Sequence, residues 1–225
     1  MRPDCRLLLF LPVFLAACSG LPEIRPLTGI DKAGLAQACL RPFPDTPMQY
    51  LHALEAFVAG KNQTGILGLV RVWPQTRHLR CVIMTVEGLV VFDARHDSQL
   101  VVDRALPPFD RPGMAEGLVA DLEMMFLPPR GRLLGSGHPP SGDPVCRYLA
   151  PDKTVSDVVL LPDGRWQLCR YDAAGRLNRT VSVPVGHGAA GRTPSRLQLT
   201  AHGIPGYRLT MDLIESMPLA AGDKP

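Results

Sequence analysis

Aromatic residues are scarce in this chain, 6% of 225, while Pro (23) and Gly (21) are abundant. That balance argues against a helical bundle and for many short elements separated by turns. No CxxC, HExxH, HxH or GxSxG spacing occurs, so zinc chemistry and a nucleophile elbow lack their signatures. The six histidines, His52, His78, His96, His138, His187 and His202, are scattered, and the last four fall in or near turns, which suits solvated loop histidines rather than metal ligands. Asp93, Asp97 and Asp103 flank turns without calcium-loop spacing. Gly186-His187-Gly188 is followed by no helix that could hold a phosphate. No catalytic residue, cofactor or metal site is expected. Charge of one sign is also missing, with 24 Lys+Arg against 21 Asp+Glu, and a near-neutral chain gives no case for nucleic-acid binding.

The first 17 residues, MRPDCRLLLFLPVFLAA, run from basic (Arg2, Arg6) through apolar (Leu7–Leu15) to small. This is the order of a secretory signal peptide, and its apolar run is far shorter than the roughly 20 residues that a bilayer span needs. Leu15-Ala16-Ala17-Cys18 resembles the bacterial lipobox, which implies cleavage before Cys18 and lipidation of that cysteine. One acyl chain holds a protein only marginally, and three hold it firmly. Ser19 stands where enterobacterial lipoproteins retained in the inner membrane carry Asp, so the expected address is the outer membrane, facing the periplasm. Cleavage removes two basic residues and one acidic residue, leaving 208 residues with 22 Lys+Arg and 20 Asp+Glu. That length suits one domain with a sizeable core.

With Cys5 removed and Cys18 lipidated, Cys39, Cys81, Cys146 and Cys169 remain. Four cysteines in an exported chain permit two disulfides with three connectivities. Cys81 and Cys169 lie in apolar strand-like runs that equally suit buried free thiols. Residues 18–46 read as a Pro/Gly-rich tether, with a short helix over 30–40 capped by Asp31. The spacing of Tyr50, Leu51, Leu54, Phe57 and Val58 predicts a helix over 47–60, started by Pro47 and stopped by Gly60.

Strand patterns follow over 63–73, 79–94 and 98–106, with a tight turn at Glu87-Gly88. A helix is predicted over 113–126, with Asp110 as N-cap, Pro112 in the first turn and Pro128-Pro129 at the end. Residues 130–144 read as loop. Strands return over 145–150, 154–172, 177–185 and from 195 to 216, with hairpin turns at Asp163-Gly164 and Ala174-Gly175. The domain is expected over 47–217, with a frayed tail at 218–225. The fold class is α+β: a curved antiparallel sheet, an incomplete β-barrel of about 9–11 strands, with helices covering the concave face.

This layout resembles the LolA/LolB-like periplasmic lipoprotein-binding fold, and more closely lipoproteins of the DUF3261 type, some encoded beside aryl-polyene lipid biosynthesis genes. The resemblance spans roughly 60–215. It rests on LRCVIMTVEGLVVFDAR (79–95), on Ala120-Asp121-Leu122 and Leu127-Pro128, and on Gly206-Tyr207-Arg208-Leu209. It implies a half-barrel with an apolar cavity that accepts acyl chains. LolB-like proteins also carry a protruding loop with a hydrophobic tip; the Glu87-Gly88 hairpin is too tight to be that loop.

Met114, Leu118, Leu122, Met125 and Phe126 are the expected cavity-lining residues, and Met124 adds a further adaptable side chain. Trp73 and Trp166 are expected in the core or cavity wall. The function so implied is non-catalytic: a membrane-anchored lipoprotein that binds or transfers acyl, lipoprotein or polyene-lipid cargo, with a periplasmic carrier as partner. The competing expectation is a scaffold lipoprotein with a filled core that docks an envelope complex.

Overall fold

A computed structural model describes residues 20–26, 32–58, 60–139, 142–187, 193–203, 206–220 and 223. Cys18 and Asp31 lie outside the described residues. The described chain forms thirteen strands: β1 (Arg25–Pro26), β2 (Met48–Val58), β3 (Lys61–Trp73), β4 (His78–Thr85), β5 (Val90–His96), β6 (Leu100–Ala105), β7 (Arg132–His138), β8 (Val145–Leu149), β9 (Val155–Leu160), β10 (Trp166–Tyr171), β11 (Leu177–Ser182), β12 (Arg196–Ala201) and β13 (Tyr207–Pro218). Two α-helices join them, α1 (Lys32–Ala38) and α2 (Met114–Phe126).

All pairings are antiparallel and build one open, curved sheet in the order β1-β7-β8-β9-β10-β11-β12-β13-β2-β3-β4-β5-β6. The α+β half-barrel expected from the sequence is therefore the observed architecture. Its seam is the β13–β2 pair, where the end of the chain closes on its beginning from Tyr207↔Val58 to Pro218↔Met48.

The seam corrects the helix expected over 47–60. In β2 the residues that face the core are Met48, Tyr50, His52 and Leu54, a period of two. Tyr50, Leu51, Leu54, Phe57 and Val58 fit a helical spacing as well, and pairing with β13 on one side and β3 on the other decides between them. Phe57 and Val58 end up exposed at the hairpin tip.

Residues 130–144 are not all loop, because 132–138 form β7 between β8 and β1. The start of α2 differs too. Gly113 occupies the N-cap position with φ 76° and no side-chain cap, so Asp110 does not cap the helix. At the other end Leu127 is already extended (φ −120°, ψ 145°), as a residue before proline prefers to be.

The stretch read as a tether is largely built into the domain. Leu35, Cys39 and Phe43 are buried, and Cys39 is disulfide-bonded to Cys146 in β8. Cys81 and Cys169 are free thiols. Further back, β1 pairs with β7 (Arg25↔His138, Pro26↔Gly137), and the Arg147 guanidinium donates to Pro22 O at 2.9 Å. A Cβ on Gly137 would collide with the Arg25 carbonyl, so this crossing requires glycine there. The tail is also tied down: Leu219 N–H donates to Pro47 O at 3.0 Å and Trp73 Nε1 to Asp223 O at 3.3 Å.

Candidate functional site

The chain order places α2. Strand β6 ends at one edge of the sheet and β7 begins near the other, so the segment between them must cross the open side. Thirteen helical residues span about 20 Å. Ala115, Val119, Leu122, Met124, Met125 and Phe126 are buried there. All of these but Val119 join one core with residues from both wings, among them Ile83 and Phe92 on one side and Leu168, Val181 and Leu199 on the other.

Of the residues expected to line a cavity, Leu122, Met125 and Phe126 are instead packed into this core, because α2 itself occupies the concave side. Leu118 packs partly against the core, and Met114 is 39% exposed at the helix start. Phe126 stacks on Tyr50 at 5.0 Å and meets the His52 ring at 5.7 Å. Trp166 is buried against Phe43, and Trp73 is buried near the chain end. Among the described residues, the crevice that Met125 and Phe126 share with Tyr50, His52, Trp166 and Leu197 measures about 10 Å³. That is room for about one water.

Polar contacts hold the helix in place. Asp121, 3% exposed, lies on the apolar side of α2 and accepts a hydrogen bond from Arg179 Nε of β11 at 3.0 Å and another from the Tyr207 hydroxyl of β13. Arg179 also sits 5.4 Å over the Tyr207 ring. Burial pushes the Asp121 carboxyl up, and the Tyr207 and Arg179 donors act against that rise. The Tyr207 hydroxyl is pushed up by burial and by the adjacent Asp121 charge. Two residues on, both oxygens of Glu123 accept from Arg130, at 2.6 and 3.2 Å, and His96 Nδ1 of β5 lies 3.0 Å from Glu123 Oε1. The helix is thus latched to one wing by Asp121, while on the other His96 lies beside Glu123 without a hydrogen bond from its Nδ1.

His52 is 1% exposed, with its Nδ1 unpartnered, and burial lowers its pKa to about 4 against a small opposing pull from Asp212. It therefore stays neutral beneath Phe126. Composition and spacing did not single out these latch residues. A signal was present, however: Asp121 falls three residues after Leu118 and four before Met125, on the apolar stripe, where a carboxylate must find partners. The Asp121–Tyr207 contact also joins two of the segments that carried the family resemblance.

A scan against protein-family models finds no match, and a search of curated proteins finds none similar in sequence. Two solved structures share the fold. A LolA superfamily protein from Nitrosomonas europaea aligns over 87% of this chain and 96% of its own, with 14% identity and a TM-score of 0.51. A domain from Vibrio parahaemolyticus, described as a candidate outer membrane lipoprotein-sorting protein domain, aligns over 86% of this chain and 94% of its own, with 14% identity and a TM-score of 0.57. The chain therefore has a LolA-like fold.

Proposed function

We propose that this chain is a non-catalytic envelope lipoprotein that binds or passes on lipid-like molecules. In this reading residues 1–17 are a signal peptide and Cys18 carries the anchor at the periplasmic face of the outer membrane. The cargo is an acyl chain, a lipoprotein or a polyene lipid, received from or handed to a periplasmic carrier. The likeness in fold to a LolA superfamily protein and to a lipoprotein-sorting domain supports it. The observation that carries it is α2: a helix with an apolar side, crossing an open sheet and fixed by polar latches.

Pockets for small organic ligands measure about 300–1,000 Å³, so an acyl chain enters the crevice of about 10 Å³ at Met125 and Phe126 only if α2 lifts there and gives up its own apolar contacts. Displacing one apolar surface by another keeps the burial, worth roughly 25 cal/mol per Å², nearly constant. Tight packing of Met125 and Phe126 among the described residues favours a second reading, in which the same body is a scaffold and no ligand enters.

One experiment separates the two. A soluble Cys18→Ala form is titrated with a fluorescent fatty acid beside the same form carrying Asp121→Asn. The carrier reading expects saturable uptake, at least threefold tighter in Asp121→Asn because the latch no longer competes. Absence of uptake in both proteins, with native mass spectrometry showing no co-purified acyl or polyene species, overturns it in favour of the scaffold.

A further inference from the structure

A cleft of about 190 Å³ lies at the C-terminal end of α2, between the β3–β4 turn, the Pro128–Arg130 segment and strands β9 and β10. Three guanidinium groups line it, those of Arg77, Arg130 and Arg170. Two carboxylates face them, and both are already committed. Glu123 takes both of its hydrogen bonds from Arg130 and has His96 beside it. Asp152 accepts from the Thr154 amide at 3.0 Å and the Thr154 hydroxyl at 2.7 Å, closing its own turn.

No carboxylate is hydrogen-bonded to Arg77 or Arg170 among the described residues, although the charge of Glu123 acts on Arg77 and those of Asp121, Glu123 and Asp152 act on Arg170 from further away. Arg77 donates once, to Pro128 O at 2.8 Å, and its buried Nε meets no acceptor. Arg170 makes one long bond, 3.4 Å, to Ala120 O. Burial and the neighbouring Arg130 charge push Arg77 below its ordinary range, and burial does the same to Arg170.

Ala120 O in the middle of α2 and Pro128 O just beyond it account for one N–H of each residue. A guanidinium has five, so most donors are left over. A buried donor without a partner costs about 1–3 kcal/mol, and like charges crowded in a half-buried cleft add to that cost. An anion with several acceptor oxygens relieves both, and Arg is the residue suited to it. The Ser156 and Thr154 positions offer further polar edges, whereas Leu127 and Leu168 make part of the wall apolar.

We propose that this cleft is a binding site for a phosphate-type anion, held chiefly by Arg77 and Arg170 with Arg130 at the rim. Its two possible sources are the headgroup of an anionic phospholipid and free phosphate. The site stands independently of whether acyl chains enter beneath α2.

The test is calorimetry, with 31P NMR as a second readout, on the purified protein with two probes: inorganic phosphate, and dihexanoyl phosphatidylglycerol below its micelle concentration. Saturable binding of at least one probe is expected, weakened tenfold or more by Arg77→Gln and by Arg170→Gln. Arg176→Gln, at an arginine 69% exposed and paired with Asp172 away from the cleft, leaves it unchanged. Tighter binding of the lipid probe identifies the headgroup as the source, and equal binding identifies the free anion. Arg77 lies in a turn, so Arg77→Gln decides the matter even if Arg170→Gln does not fold. Neither probe binding in either readout, or binding that Arg77→Gln leaves intact, overturns the proposal.

Discussion

The two wings of the sheet are finished off in different ways. On the wing from β7 to β12, the outer strand is covered by β1, β8 is bonded through Cys146 to Cys39, and the Arg147–Asp157 pair is buried beneath the Pro22 carbonyl. On the wing from β2 to β6, no strand lies beyond β6 among the described residues, and Val101 and Val102 are exposed on it, with Asp103 and Arg104 as the charges that blunt an open edge. The first wing is held by a covalent bond and backbone pairing. The second packs on α2 through Ile83 and Phe92, has His96 beside Glu123, and is held to its own connection by the Phe92–Phe109 contact at 5.4 Å. A sheet built this way has a fixed half and a half that can yield, and α2 is latched to the first and packed on the second.

Breaking the fixed half has the largest expected effect. Replacing Cys39 and Cys146 together by serine opens a loop of 107 residues, for which the chain-entropy account gives a loss of about 4–5 kcal/mol. Urea melts read this directly, and a loss below about 1 kcal/mol means that the two wings are equally secured without the bond.

Acid tests the seam between the wings. His52 is neutral in the folded protein, with its pKa lowered to about 4, whereas in the unfolded chain it titrates near 6.5. The unfolded state binds more protons between these values, so stability is full above about pH 6.5 and falls by about 3 kcal/mol as pH drops towards 4. His52→Asn flattens that part of the profile, and an unchanged slope assigns the acid sensitivity to other groups.

The smallest effect sharpens the comparison most. Glu123→Gln removes a pair whose Arg130 side chain is 50% exposed, so the global cost is below about 1 kcal/mol. Hydrogen exchange nevertheless quickens in β5 and β6 and stays unchanged in β8–β10. Equal quickening in both wings removes the distinction between them.

Most of the sheet was legible in the sequence, because its strands carry period-two apolar patterns between turns such as Glu87-Gly88, where Gly88 takes φ 89°. What was missed depends on partners far away in the chain. Strand β2 has a pattern that suits either period, and β13, at the other end of the chain, decides it. Strand β7 is weakened on paper by Gly135 and Gly137, yet Gly137 is what admits the N-terminal segment over it. The helix α2 was readable as a helix with an apolar stripe, but not as the occupant of the concave side. That follows from β6 and β7 lying at opposite edges, a property of strand order. The Asp121 latch joins residues 86 positions apart. The arginines of the cleft come from β10, from the β3–β4 turn and from just beyond α2, and no local pattern links them.

The pinning of residues 20–26 along the outer edge has a consequence for reach. Pro22 is held through Arg147, and only three residues separate it from Cys18. A fully extended chain covers at most about 3.6 Å per residue, so in the reading proposed above, a lipid on Cys18 would moor the domain by a line of about 14 Å. A 28-residue leash would let it roam through the periplasm and search for partners. Moored this closely, the β1–β7 edge would ride at the bilayer surface with a restricted tilt, and whatever such a lipoprotein received or handed over would have to come to that surface to meet it.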